Sequence, residues 1–282
     1  MFFFKAGQAR PLTSIVDLTT PCKICSTESP LFDVVDHHED CYDPDGRRMA
    51  LSGIPIYYYR CPGCGFLFTR AFDDWGMADM AGPATADDES DSTLDPAERH
   101  RRDFVPLLKE WFGEGLNSLR LLDLGKDRLA ASLRQAGIPA DPTEPAPGRP
   151  GPAASMAAGP YDVVLAFNIF EQLTEPLAFM KRIDRVIAPD GLLLVATPLS
   201  DGVDPAAVGI RRRPLRYVSP RRGQYSIFNA ASLALALGSA GFRLAGFRQG
   251  IHIGLRRLPA FAERLFDQRA GWFTVNSLSG SR

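Results

Sequence analysis

Between Tyr161 and Pro198 the hydrophobic pattern changes period twice, from strand to helix and back to strand. Asp162-Val163-Val164-Leu165-Ala166-Phe167 is a short β-branched apolar run, suited to a strand covered on both faces. Pro176 can open a helix, because its missing N–H is not needed in the first turn. Leu177, Met180, Ile183, Asp184 and Ile187 then follow helical spacing, with Lys181, Arg182 and Arg185 on the polar side. Pro189-Asp190-Gly191 is expected to stop this helix, and Leu192 to Ala196 to form a second buried strand. Two such strands joined by a helix are parallel and connected right-handedly. The pattern predicts half of a doubly wound α/β sheet.

The same periods recur on either side. Leu119 to Gly125, LRLLDLG, reads as a strand running into a turn, followed by a helix from about Asp127 to Ala136. Gly137 to Pro147 should hold the next strand, whereas Pro147 to Gly159 has loop composition and leaves a further strand eroded or absent. Upstream, Pro96 opens a helix with Phe104, Leu107, Leu108, Trp111 and Phe112 on one face, ended by Gly113. Downstream, Asn229 caps a helix over Ala230 to Ala240 that Gly241 ends. Phe242 to Phe247 and Ile251 to Leu255 follow as closing antiparallel strands, with His252 read as a structural strand histidine. Leu258 to Phe266 adds an amphipathic helix before a Ser/Gly tail.

Cysteine spacing adds a different chemistry. Cys22-Lys23-Ile24-Cys25 and Cys61-Pro62-Gly63-Cys64 are paired C-x-x-C knuckles. Such turns let two thiolates each reach one tetrahedral zinc ion, with backbone N–H groups stabilising their charge. Tyr57-Tyr58-Tyr59 and Phe66-Leu67-Phe68 supply flanking strands. A redox dithiol would sit at a helix N-terminus inside an α/β unit, and neither pair does. Structural zinc on Cys22, Cys25, Cys61 and Cys64 is therefore the expectation, giving a short segment a core it cannot otherwise build. His37, His38 and Cys41 lie between the knuckles and are expected to be surface polar residues and a spare thiol.

Composition narrows the class. The chain has 282 residues, 45% hydrophobic and 23% charged, with a net charge of −1. That length accommodates one large domain and a small one. Near-neutral charge offers no electrostatic case for nucleic acid, and the Arg211-Arg212-Arg213, Arg221-Arg222 and Arg256-Arg257 clusters read as solvated faces. Met1-Phe2-Phe3-Phe4 is too short for a signal h-region and no apolar run reaches membrane length, so a cytoplasmic location is expected.

The order YDVV…FEQL…P…RIDRVIAPDGLLLVATP resembles the second half of the class I S-adenosylmethionine-dependent methyltransferase fold, over roughly Leu119 to Arg257. The segments CKIC and YYYRCPGCGFLFT resemble the zinc-binding module that precedes a methyltransferase domain in a group of bacterial proteins, some of which act on sugars. The expected fold is a Rossmann-like class I sheet with helices on both faces, preceded by a small zinc-ribbon-like module. The expected division is an extension (1–20), the zinc module (21–75), an acidic linker or lid (76–95), the methyltransferase-like domain (96–257) and a C-terminal helix and tail (258–282).

The resemblance also implies roles. Asp123 and Gly125 match the family's acidic-x-glycine cofactor loop, while Asp127 and Leu129 stand where further glycines are expected. A carboxylate ending the second strand would bind the cofactor ribose, with Glu144 the first choice and Asp141 close behind. Phe167 and Asn168 would border the cofactor, and Gln172 replaces the histidine of an acidic-histidine pair that begins at Glu171. Gln224 replaces a second family histidine beyond Tyr217. Glutamine orients groups but takes no proton near neutral pH, so no catalytic base is assigned. The implied cofactors are S-adenosylmethionine and structural zinc, and the implied partner is a small-molecule acceptor such as a sugar or sugar nucleotide. The alternative is a catalytically inactive relative kept as a zinc-containing binding or scaffolding subunit.

Overall fold

A computed structural model describes residues 17–39, 41, 47–74, 96–125, 129–142, 159–200, 218–248 and 251–257. The expectations for residues 1–16 of the N-terminal extension, the acidic segment 76–95, Asp127, Glu144, Arg211 to Tyr217, the Leu258 to Phe266 helix and the tail lie outside the described residues.

The chain begins with an antiparallel sheet of β1 (Thr19–Pro21), β2 (Glu28–Asp36), β3 (Pro55–Arg60) and β4 (Leu67–Thr69). A long helix, α1 (Pro96–Phe112), follows and ends at Gly113, whose φ of +58° is the left-handed conformation a helix stop uses. The chain then alternates through β5 (Leu121–Asp123), α2 (Leu129–Gln135), β6 (Ala140–Pro142), β7 (Tyr161–Phe167), α3 (Pro176–Val186) and β8 (Ile187–Ala196). It closes with β9 (Ser226–Ile227), α4 (Ala230–Gly238), β10 (Arg243–Arg248) and β11 (Ile251–Leu255).

The second sheet has the order β10-β11-β8-β7-β5-β6, with β5 to β8 parallel and the β10–β11 hairpin antiparallel on β8. Among the described residues it ends at β6, and the following stretch, 143–158, lies outside them. Alternation along each strand feeds two cores. Leu121, Val163, Leu165, Leu192 and Leu194 point to the α1 and α2 side with Leu108, Trp111 and Leu133. Leu122, Val164, Ala166, Leu193 and Val195 point to the α3 and α4 side with Phe179, Met180, Ile183, Leu233 and Leu237. Both faces are apolar because both are covered, as parallel sheets require. This is the α/β, class I methyltransferase arrangement with helices on both faces.

One boundary differs from the sequence reading. α3 ends at Val186, and Pro189-Asp190-Gly191 lies inside β8 rather than stopping the helix. Ile187 is already extended (φ −90°, ψ 143°) and pairs with Tyr161, while Leu192 pairs with Val163. Four residues therefore bulge opposite one. A Cβ on Gly191 would lie 2.6 Å from Ile187 Cγ1 and 3.0 Å from the Tyr161 carbonyl, so glycine lets the bulge close.

β9 does not join this second sheet. It pairs with β4 through Leu67–Ile227 and Phe68–Ser226, completing the sheet of the cysteine-bearing segment. Cys22, Cys61, Cys64, Tyr59, Phe66 and Phe68 share one continuous core with α3 and α4.

Candidate functional site

The four knuckle cysteines converge. Their Sγ atoms all lie within 4.8 Å of one another. Cys22 and Cys64 are 3.6 Å apart and Cys25 and Cys61 are 3.4 Å apart, too far for disulfides. A tetrahedral zinc ion with bonds of about 2.3 Å sets its sulfurs about 3.8 Å apart, so the set fits that ion. Backbone amides of Ile24 and Cys64 approach Cys22 Sγ and Cys61 Sγ, both at 3.4 Å, as thiolates in a metal site require. Burial raises the Cys22 thiol to about 11 and raises Cys64 further. Burial also raises Cys25, but hydrogen bonds with Thr27 outweigh it and bring that thiol down to about 6.

His37 is half-buried rather than a surface group, and Cys41, the spare thiol, is buried. Cys41 is 1% exposed and its Sγ lies 3.0 Å from Ser219 Oγ. His37 Nδ1 is buried with no partner among the described residues, its ring 6.3 Å from Phe72. The cause is the turn between β2 and β3, which folds over the segment beginning at Val218. There Tyr58 Oη donates to the Gln224 carbonyl at 2.5 Å.

The second cluster lies at the carboxyl ends of β5, β7 and β8, where open parallel sheets bind ligands. Asp123 stands opposite Leu165, and the Leu124 amide donates to the Leu165 carbonyl at 3.0 Å. Leu124-Gly125 therefore runs beside Ala166-Phe167. Asp123 is 2% exposed, and its carboxylate accepts from the amides of Gly125 (3.0 Å) and Ala130 (2.8 Å). Phe167 is buried under α1 through Phe104, with ring centroids 4.7 Å apart, so α1 does cover this edge. Asn168 follows with φ +53°, a left-handed backbone that asparagine tolerates better than most residues. Its amide donates to the Ala196 carbonyl at 2.8 Å, and its carbonyl accepts from Gln172 Nε2 at 2.6 Å.

Asp123, Gly125, Phe167, Asn168 and Gln172 thus stand at the same edge. Glu144 is outside the described residues, and the second choice, Asp141, is an inner residue of β6 that accepts from Tyr161 Oη at 3.0 Å. Sequence reasoning did not single out Thr197 or Tyr225. Thr197 Oγ1 donates to buried Glu171 Oε2 at 2.8 Å, and the Tyr225 amide donates to the Glu171 carbonyl at 2.8 Å. Thr197 lies in the ATP that ends the second predicted strand, and a hydroxyl there was the available signal.

A family model described as a methyltransferase domain matches residues 97–245. The chain belongs to this methyltransferase-domain family. No curated protein matches the chain. Among solved structures, the chain is similar to TnmH at 17% identity, over 56% of this chain and 54% of that chain, with a TM-score of 0.39. It is similar to an O-methyltransferase family protein from Burkholderia thailandensis at 15% identity, over 65% and 63%, with a TM-score of 0.41. A SAM-dependent methyltransferase from Methanosarcina mazei gives 14% identity, over 55% and 98%, with a TM-score of 0.37. The chain spans about half the length of TnmH. No helix among the described residues is long and apolar enough to cross a membrane.

Proposed function

We propose that this chain is an S-adenosylmethionine-dependent methyltransferase of the cytoplasm, acting on a small-molecule acceptor of the sugar or sugar-nucleotide class, with one structural zinc ion on Cys22, Cys25, Cys61 and Cys64. The observation that carries the cofactor reading is the β5–β7 register, which sets Asp123-Leu124-Gly125 beside Leu165-Ala166-Phe167, next to Asn168, within the family match. The acceptor class rests on the resemblance of the cysteine module. Residues 21–75 act as the zinc module, 76–95 as linker, 96–257 as the methyl-transfer domain and 258–282 as a C-terminal appendage.

The bound cofactor supplies an activated methyl group on a sulfonium. The protein's part is chiefly to hold the acceptor in line and close. Asp123 fixes the loop after β5 through two backbone amides, and Gln172 fixes the turn after β7. The segment from Ser219 to Tyr225 faces that turn, with Gly223 against the Gln172 side chain, and is our choice for the acceptor side. No side chain is assigned the proton.

One observation favours the second reading, an inactive scaffolding subunit. Both glutamines that stand at family histidine positions brace local backbone: Gln172 donates to the Asn168 carbonyl, and Gln224 Oε1 accepts from the Ser219 amide at 2.7 Å. Calorimetric titration with S-adenosylmethionine, followed by a labelled-methyl assay on sugar nucleotides, separates the two. Saturable binding with transfer supports the enzyme. Binding without transfer to any acceptor supports the scaffold, and absence of binding overturns the cofactor assignment.

A further inference from the structure

The second knuckle meets the acceptor side of the methyltransferase domain most closely at Gly65 and Asn229. Its turn is closed by Gly65 N donating to Cys61 O and by Cys61 N donating to Phe66 O, each at 2.9 Å. Gly65 has φ +73°, and a Cβ built on it would lie 2.1 Å from Asn229 Nδ2. The Asn229 side chain therefore lies directly on the knuckle backbone. The same side chain caps α4, its Oδ1 accepting from the Ser232 amide at 2.7 Å while Ser232 Oγ accepts from the Asn229 amide at 3.0 Å.

The neighbours of both residues continue the contact. Phe66 packs on Phe228 with centroids 4.7 Å apart, and Phe228 packs in turn on Phe170 at 5.7 Å. β4 pairs with β9, and the Thr69 amide donates to the Tyr225 carbonyl at 3.1 Å. From there the segment reaches the cofactor edge. Ser226 Oγ donates to the Leu173 carbonyl at 2.6 Å, and the Tyr225 amide donates to the Glu171 carbonyl at 2.8 Å. Residues 223–229 are thus held between the knuckle and the turn that carries Glu171 and Gln172. A two-residue strand such as β9 has too few ladder bonds to persist alone, so the template supplied by β4 decides whether it forms.

We propose that the second knuckle sets the order of residues 223–229, and through them of the 170–173 turn, with Gly65 and Asn229 as the positioning contact. This rests on the zinc and acceptor-side readings above. It makes the metal a condition for assembling the acceptor edge, while the cofactor loop after β5 stays formed without it. The reasoning is that Asp123 holds that loop through the Gly125 and Ala130 amides, and that one face of β5 to β8 packs with α1 and α2 in a core without cysteines, while Leu122 and Leu124 on the other face also reach the cysteine-bearing core.

The test is hydrogen–deuterium exchange read by peptide, on the full chain, with S-adenosylmethionine titration alongside. Gly65→Ala should speed exchange at 223–229 and 170–173 at least tenfold, with bound metal, β5 to β8 protection and cofactor affinity within threefold of the parent. Asn229→Ser keeps a capping oxygen but no longer reaches Gly65, so adding it to Gly65→Ala should restore much of the protection. Chelation of the metal should give the same local pattern as Gly65→Ala. Unchanged exchange at 223–229 in Gly65→Ala overturns the proposal, as does loss of protection across all of β5 to β8 on chelation. Protein purified without metal would refute the zinc assignment by itself, and the Gly65→Ala arm would still test the coupling. Absence of cofactor binding in the parent would refute the methyltransferase reading separately from both.

Discussion

The Asp123 carboxylate reaches across the loop after β5 to the backbone amide of Ala130, 2.8 Å away, while also accepting from Gly125. Ala130 lies in the first turn of α2, so the carboxylate satisfies a helix-start amide and sits at the positive end of the helix. Buried at 2% exposure, a charged group needs such donors. Asp123 therefore folds the loop before anything binds to it. Asp123→Ala should cost about 1.5–3 kcal/mol of stability, the range for hydrogen bonds to a charged group. It should also weaken S-adenosylmethionine binding. Urea denaturation and calorimetric titration check both; unaltered affinity in a folded variant would mean that the loop holds its shape by other contacts.

One zinc ion per chain is expected in protein purified without added metal. The sulfur separations of 3.4 and 3.6 Å match a tetrahedral tetrathiolate, and three of the four cysteines are buried in the shared core. Cys61→Ser should abolish stoichiometric binding and lower the thermal midpoint, because metal binding free energy is folding free energy in a site absent from the unfolded chain. Elemental analysis and a melting curve decide it. A full metal complement in Cys61→Ser would exclude that sulfur as a ligand.

Much of the fold was legible because periodicity carries it. DVVLAF and LLLVA could only be strands covered twice, and Asn229 announced its helix by residue type. The knuckles were legible because ligand spacing is local. What could not be read was how distant segments meet. Nothing local marks Ser226-Ile227 as the strand that completes the cysteine-bearing sheet, since two residues carry no period. Pro189-Asp190-Gly191 looked like a helix stop because its residues fit one; the pairing of Ile187 with Tyr161 overrode that preference. Cys41 stays outside the four-cysteine cluster, as read, but its contact with Ser219 could not be foreseen because the two lie far apart in sequence.

Asp127 stands in the chain where the family keeps a second glycine, and it should weaken the cofactor site. If the loop keeps the family's path, a non-glycine residue at this position would be forced into a left-handed backbone at a cost of roughly 1–2 kcal/mol, equivalent to about a five- to thirtyfold loss of affinity. Repulsion from the cofactor carboxylate adds to this unless Lys126 or Arg128 offsets it. The unaltered chain should then bind S-adenosylmethionine with a dissociation constant on the order of 100 μM or poorer, and Asp127→Gly should tighten it by at least about fivefold. Low-micromolar binding by the parent would show that the loop takes another path, and would remove the main support for an inactive scaffold.

His37 should make the protein sensitive to acid. Burial is the main influence that brings its imidazole from the ordinary 6.5 down to about 4, helped by the neighbouring His38 and Arg221 charges and opposed by Asp36. The folded state thus holds the ring neutral, with Nδ1 buried and unpartnered among the described residues. Because the folded value is the lower one, this contribution to stability is complete above the unfolded value and is lost as pH falls from about 6.5 through about 4. The unfolded chain takes up its proton first. The loss should amount to roughly 2–3 kcal/mol across that window, at about 1.4 kcal/mol per pH unit of displacement. His37→Phe removes the titration and keeps an aromatic ring against Phe72. Acid also strips zinc from thiolates, but it does so in both proteins, so the difference between them isolates the histidine. Urea midpoints at pH ~7 and ~5 should therefore fall less in His37→Phe than in the parent. Parallel losses in the two proteins would show that the ring is protonated equally in the folded and unfolded states.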